Sequence, residues 1–128
     1  MLYSAAVICI GASCGALLRW LTALALNHHF PAIPLGTLLV NLIGGFLIGF
    51  ALSFFAHHPA IAPQWRLMVV TGFLGGLTTF STFSAEVADL LRRGEFLWAG
   101  LHTASHVGGS LAATFLGIAS FSLLKRYL

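Results

Sequence analysis

Charge is what this chain lacks. Of its 128 residues, six are Lys or Arg and three are Asp or Glu, so 7% are charged while 59% are hydrophobic. A soluble domain carries about a quarter charged residues, so this composition excludes an ordinary water-soluble domain and places the chain in lipid. The formal net charge of +3 is scattered along the sequence. Nucleic-acid binding and basic lipid anchoring both need clustered Lys and Arg, so no nucleic-acid partner is expected. Cysteine is scarce as well: Cys9 and Cys14 both lie in the first apolar run. Their spacing puts them on different helix faces, which excludes an internal disulfide and leaves them as small buried hydrophobes. No basic segment precedes that run, and Arg19 interrupts it, so despite the Ala23–Ala25 stretch it reads as an uncleaved first helix rather than a signal peptide. There is no internal repeat and no low-complexity segment.

Apolar sequence is what fills the chain. The mean hydropathy is +0.96, and four long apolar stretches stand out. At roughly 20 residues per crossing, they predict four transmembrane helices in a single domain spanning residues 1–128. The helices are expected at about 2–26, 35–56, 64–91 and 96–124, interrupted by Asn27-His28-His29-Phe30-Pro31, His57-His58-Pro59 and Arg92-Arg93-Gly94. Lys125-Arg126 closes the last one. Trp20, Trp65 and Trp98 fall near helix ends, where aromatic belts sit. Short linkers predict that consecutive helices pack as antiparallel neighbours.

The third stretch departs from a plain helix. Gly72, Gly75 and Gly76 precede Leu77-Thr78-Thr79-Phe80-Ser81-Thr82-Phe83-Ser84 near mid-span. Two readings stay open. A broken helix would free carbonyls able to bind a cation, and backbone of that kind is tolerated at this depth only inside protein or beside a wet cavity. A continuous helix would instead use the small residues as a packing face.

Four crossings put both termini and the 57–65 loop on one side, with Arg66, Lys125 and Arg126. The 27–34 and 92–95 loops lie on the other, with Arg92, Arg93 and, if it snorkels that way, Arg19. The positive-inside rule has almost nothing to act on, so the chain can insert both ways up and pair as an antiparallel dimer. Such a pair would supply between two copies the inverted symmetry that larger transporters carry internally.

Polar side chains within the spans are the candidates for chemistry. Thr37 and Asn41 share a face of the second helix, continued by Gly45 and Gly49; interhelical glue and a functional site both fit Asn41. His102, His106, Ser110 and Thr114 recur every four residues along the fourth helix as one polar stripe. Their N–H and O–H groups could replace water around an anion, and packing is the alternative. The two histidines have the spacing of a zinc pair, but further ligands on the same chain are hard to assemble. Phe80 and Phe83 flank Ser81 and Thr82; the rings either pack or present positive edges to a small anion. Arg19 can snorkel, pair with Glu86, or meet an exposed helix C-terminus. Glu86 and Asp89 suit a pore mouth or an ordinary interface.

The run Gly75-Gly76-Leu77-Thr78-Thr79-Phe80-Ser81-Thr82-Phe83-Ser84-Ala85-Glu86 closely resembles the signature of the Fluc (CrcB) fluoride channels. Gly36-Thr37-Leu38-Leu39-Val40-Asn41-Leu42-Ile43-Gly44 resembles that family's second-helix motif. Gly11 followed by Gly15-Ala16-Leu17-Leu18-Arg19 resembles its first, with Ala12 standing where a second glycine is usual.

The resemblance implies an all-α membrane protein with a broken third helix, assembled as a dual-topology antiparallel homodimer with two fluoride pores. It implies passive export of fluoride that entered as the neutral acid, protecting the cell from fluoride toxicity, and a multi-pass place in the inner (cytoplasmic) membrane of a bacterium. Phe80 and Phe83 would line the pores beside Ser81 and Thr82, Asn41 would reach fluoride with Thr37 on its face, and Ser110 with Thr114 would form a polar track extended by His106. Gly75 and Thr78 would give carbonyls to one structural sodium ion per dimer. Arg19 and Glu86 would be structural. Two rival classes are a small multidrug-type proton antiporter and a non-transporting scaffold subunit. The antiporter needs a carboxylate in the first helix, which has no Asp or Glu. No nucleophile, base and orienting group come together, so no enzyme is expected.

Overall fold

The computed structural model describes residues 1–127, and four helices in it are long and apolar enough to cross a membrane. They span Leu2–His29, Leu35–His57, Pro63–Arg92 and Phe96–Leu124, within a few residues of the boundaries expected from hydropathy. The first ends in a single 3-10 turn, Asn27–His29. Gly94, with φ of 74°, makes the sharp turn between the third and fourth spans. Contacts at the turns sort the ends into two groups. Phe30 packs edge-on against Trp98 with ring centroids 5.5 Å apart, joining the 27–34 and 92–95 turns. Lys125 Nζ donates to His57 Nε2 at 3.0 Å, joining the C-terminal end to the other side.

Consecutive helices touch, but the tightest pairing is between alternate spans, first with third and second with fourth, each pair running parallel. Glycine is the cause. A Cβ on Gly72 would stand 2.7 Å from Ile8 O, and one on Gly76 would stand 2.5 Å from Ala12 O. Gly11 and Gly15 face Met68 O and Phe73 O just as closely from the other side. In the second pair, Gly45 and Gly49 lie on Ser110 O and Thr114 O, and Gly117 lies on Phe46 O. Lipid tails are as apolar as leucine, so close backbone packing between small residues decides which helices associate. The buried core is correspondingly thin, centred on Val40, Ala51, Leu74 and Leu77, while Leu17, Trp20, Leu21 and Leu24 point outward. Cys9 and Cys14 are free and on the outer face, which corrects their expected burial.

The third span is built in pieces. Residues 63–66 are α-helical, Leu67–Leu74 form a π-helical stretch, and Gly75–Leu77 return to α geometry. Thr78 (φ −82°, ψ 155°) and Thr79 (φ −149°, ψ 118°) are extended, and helix resumes over Phe80–Arg92. Thr79 is the N-cap of the second piece, its Oγ1 accepting from Thr82 N at 3.1 Å, a role that threonine fills well. Thr78 Oγ1 turns back and donates to Leu74 O at 2.9 Å.

Candidate functional site

Two side chains, Asn41 and Arg19, secure the extended segment and the helix end before it. Asn41, on the second span, holds both backbone atoms of Thr79: its Nδ2 donates to Thr79 O at 2.9 Å, and its Oδ1 accepts from Thr79 N at 2.8 Å. Arg19 donates from Nε to Gly76 O at 3.0 Å. This guanidinium therefore sits at the C-terminal end of a half-helix, where carbonyls lack partners and the helix dipole is negative. Of the roles open to Arg19, the helix C-terminus is the one adopted, and Glu86 is not its partner.

Glu86 is held elsewhere. Its Oε1 accepts from Thr37 Oγ1 at 2.7 Å, and its Oε2 lies 3.0 Å from His102 Nε2. Thr37 is tied in turn to Asn27, whose Oδ1 accepts from Thr37 N at 3.1 Å. Asn27 carries no signal in the sequence beyond its place in a turn. Glu86 lies largely covered between the second and fourth spans, and among the described residues no Lys or Arg pairs with it.

The hydrogen bonds fix the state of His106. The two bonds to Thr79 leave only one orientation of the Asn41 amide, with Nδ2 as the donor. Its second N–H lies 3.0 Å from His106 Nδ1, so that nitrogen accepts, and a neutral ring carries its proton on Nε2. His106 Nε2 and His102 Nδ1 are both buried without a hydrogen-bond partner. Aromatic contacts hold the rings in place: Phe83 stacks on His106 with centroids 4.7 Å apart, and the rings of His102 and His106 are 4.5 Å apart.

A groove of about 450 Å³ opens beside this network. Asn41, Gly75, Thr78, Phe80, Phe83, His106 and Ser110 all border it, so seven of the residues singled out in the sequence are brought to one surface. No Lys, Arg, Asp or Glu lines it. Phe83 is buried, whereas Phe80, 5.4 Å away in an edge-on pair, is 76% exposed. Ser110 is distinctive among the fourth-span hydroxyls. Thr103, Ser105, Thr114, Ser120 and Ser122 each donate back to the carbonyl four residues earlier. Among the described residues, the Ser110 hydroxyl has no such bond.

The remaining candidates stand off the groove. Thr37 and Glu86 lie farther along the bundle with His102, and Arg19 is behind the half-helix end. Ser81 and Thr82 share the capping cluster, with Thr79 Oγ1 3.3 Å from Ser81 Oγ and donating to Thr82 Oγ1 at 3.0 Å. Thr114 packs under Gly49, its proton committed to Ser110 O.

Residues 6–118 match the sequence profile described as CrcB-like protein, Camphor Resistance (CrcB). A protein of Tolumonas auensis named fluoride-specific ion channel FluC is 62% identical over 126 residues, covering 98% of this chain and 99% of its own. FluC of Chromobacterium violaceum is 57% identical, covering 93% and 94%, and that of Pseudomonas putida is 55% identical, covering 98% of both. With the match running through all four spans at this identity, the chain belongs to the CrcB family.

Proposed function

We propose that the chain is a fluoride-specific channel whose conducting form is an antiparallel homodimer with two pores. The observation that carries this reading is the groove, in which an exposed Phe80 ring stands beside the unshared Ser110 hydroxyl and the amide of Asn41. Fluoride must exchange strongly held water for other donors. Neutral N–H and O–H groups and positive ring edges offer that exchange without the tight hold of a fixed cation, and conduction needs sites an ion can leave. Fluoride reaching Asn41 competes with His106 Nδ1 for the same N–H. Thr37, Ser81, Thr82 and Thr114 stand off the groove and would meet the ion only where the path continues beyond it.

A groove with an unpaired donor does not face hydrocarbon, which cannot satisfy it. A second copy is the partner that closes it, and the balanced loop charges allow that copy to insert the other way up. Two equivalent grooves then make two pores. Gly75 and Thr78 fit a structural sodium ion, one per dimer: Gly75 is exposed at a half-helix end whose dipole is negative, and Thr78 is extended beyond it. Carbonyl oxygens are ligands for a hard cation, and the ion would tie two such ends together. In the inner membrane of a bacterium, passive export of fluoride would protect the cell from its toxicity.

Fluoride release from protein-loaded liposomes tests the activity. Orientation is tested separately with Arg126→Cys in a Cys9→Ala/Cys14→Ala background. Labelling of about half the thiols by an impermeant maleimide, with the rest reached only after permeabilisation, supports dual topology. Complete labelling, or none, from one side of the cell membrane removes the antiparallel assembly.

A further inference from the structure

We infer that Glu86, His102 and His106 form a binding site for a divalent transition metal of the zinc class. One ligand atom from each lies within 4.8 Å of the others, and the three come from two helices that cross at this point. The sequence supplied only the pair at i and i+4; packing of the third span on the fourth brings the carboxylate to it. His102 is fully buried and His106 is 4% exposed, and among the described residues His106 Nε2 has no partner. An unpaired buried imidazole nitrogen is costly, so His106 Nε2 is unused coordinating capacity.

The donor set suits zinc. Two imidazoles and a carboxylate leave one position open, the composition of a three-ligand zinc site. His102 Nε2 and Glu86 Oε2, 3.0 Å apart, would bind in place of the proton they share, the His102 proton moving to Nδ1. Among the described residues Glu86 has only Thr37 and a histidine as partners, so a divalent ion would also neutralise a carboxylate held inside the membrane. His106 would bind through Nε2, its proton moving to Nδ1. That proton would then face the Asn41 amide N–H, so metal binding releases His106 from Asn41 while both Asn41 bonds to Thr79 persist. The site does not depend on which ion the protein conducts.

The test is zinc chloride titrated by calorimetry into the purified full-length protein, followed by zinc-edge absorption spectroscopy. The expected result is a saturable site with two nitrogen neighbours and one oxygen at about 2.0–2.2 Å. Affinity is expected to fall at least about tenfold in His106→Ser and in Glu86→Gln. Both keep a polar side chain, and gel filtration confirms that they remain folded if the buried His102→Gln does not. Replacing the exposed His28, His29, His57 and His58 by alanine is expected to leave the site intact. Zinc affinity unchanged by His106→Ser and Glu86→Gln, or abolished by loss of the exposed histidines, would overturn the inference.

Discussion

Asn41 and Thr79 are joined by two hydrogen bonds, so one amide from the second span satisfies both backbone atoms of a residue that has left the helix. Aspartate is nearly the same shape but cannot donate. Asn41→Asp is expected to leave Thr79 O unpaired, opposite a carboxylate, at a cost of about 1–3 kcal/mol. Thermal unfolding in detergent should show the loss, and fluoride flux should fall with it. An unchanged melting temperature would mean that Asn41 does not secure the extended residues.

Arg19 is expected to matter to folding through Gly76 O. Arg19→Leu removes a charged donor, and such bonds contribute about 1.5–3 kcal/mol. Arg19→Lys keeps the charge beside the half-helix end and should recover part of the stability. Equal melting for leucine and lysine would show that the charge at this helix end contributes nothing.

Glycine packing separates sites that look alike in sequence. Gly76→Ala places a Cβ against the Ala12 carbonyl, and Gly49→Ala places one against Thr114 O. Backbone cannot yield as a side chain can, so both should lower stability measurably. Gly100→Ala meets nothing within 4 Å among the described residues and should be neutral or raise helix stability by up to about 1 kcal/mol. The readout is the difference in unfolding temperature between the two classes.

How much of this could be read from the sequence depended on range. Helix limits follow from local hydropathy and from Pro, Gly and Asn at the turns, so Leu35–His57 and Phe96–Leu124 lie within a residue of expectation. The extended Thr78 and Thr79 were one of two open readings, because glycine followed by hydroxyl residues serves a break and a packing face equally well. The helix end that Arg19 meets was one of three open readings, and the partners of Glu86 were not legible: each depends on which spans pair, and that is decided by backbone approach at Gly11, Gly72 and Gly76. The π-helical stretch at Leu67–Leu74 has no compositional mark, since it arises from a shift of hydrogen-bond partners. The four-residue spacing did put His106 and Ser110 on one stripe, and both border the groove.

Phe80 and Phe83 should separate function from folding. Phe80 is 76% exposed in the single chain, so Phe80→Ile removes a ring edge from the groove with little loss of intrachain packing. Fluoride flux is expected to drop sharply while the protein elutes normally on gel filtration. Phe83→Ile also breaks the stack on His106 and should cost about 1 kcal/mol of stability as well. Full flux in Phe80→Ile would take Phe80 out of the pathway.

Ser110→Ala deletes the fourth-span hydroxyl that is not bonded back to its own helix. Stability should stay within about 0.5 kcal/mol, as for substitutions that break no internal contact. Fluoride flux is expected to fall, because the groove loses its unshared hydroxyl. Ser120→Ala, whose hydroxyl already bonds Leu116 O, is the matched control and should conduct normally.

The central claim, selective fluoride conduction by this chain alone, is tested most directly by efflux from liposomes holding the purified protein. A fluoride electrode follows release, beside a matched chloride assay, with valinomycin supplying the countercurrent. The account predicts rapid, valinomycin-dependent fluoride release with no chloride release. Folded protein that releases no fluoride, or releases chloride equally, would contradict it.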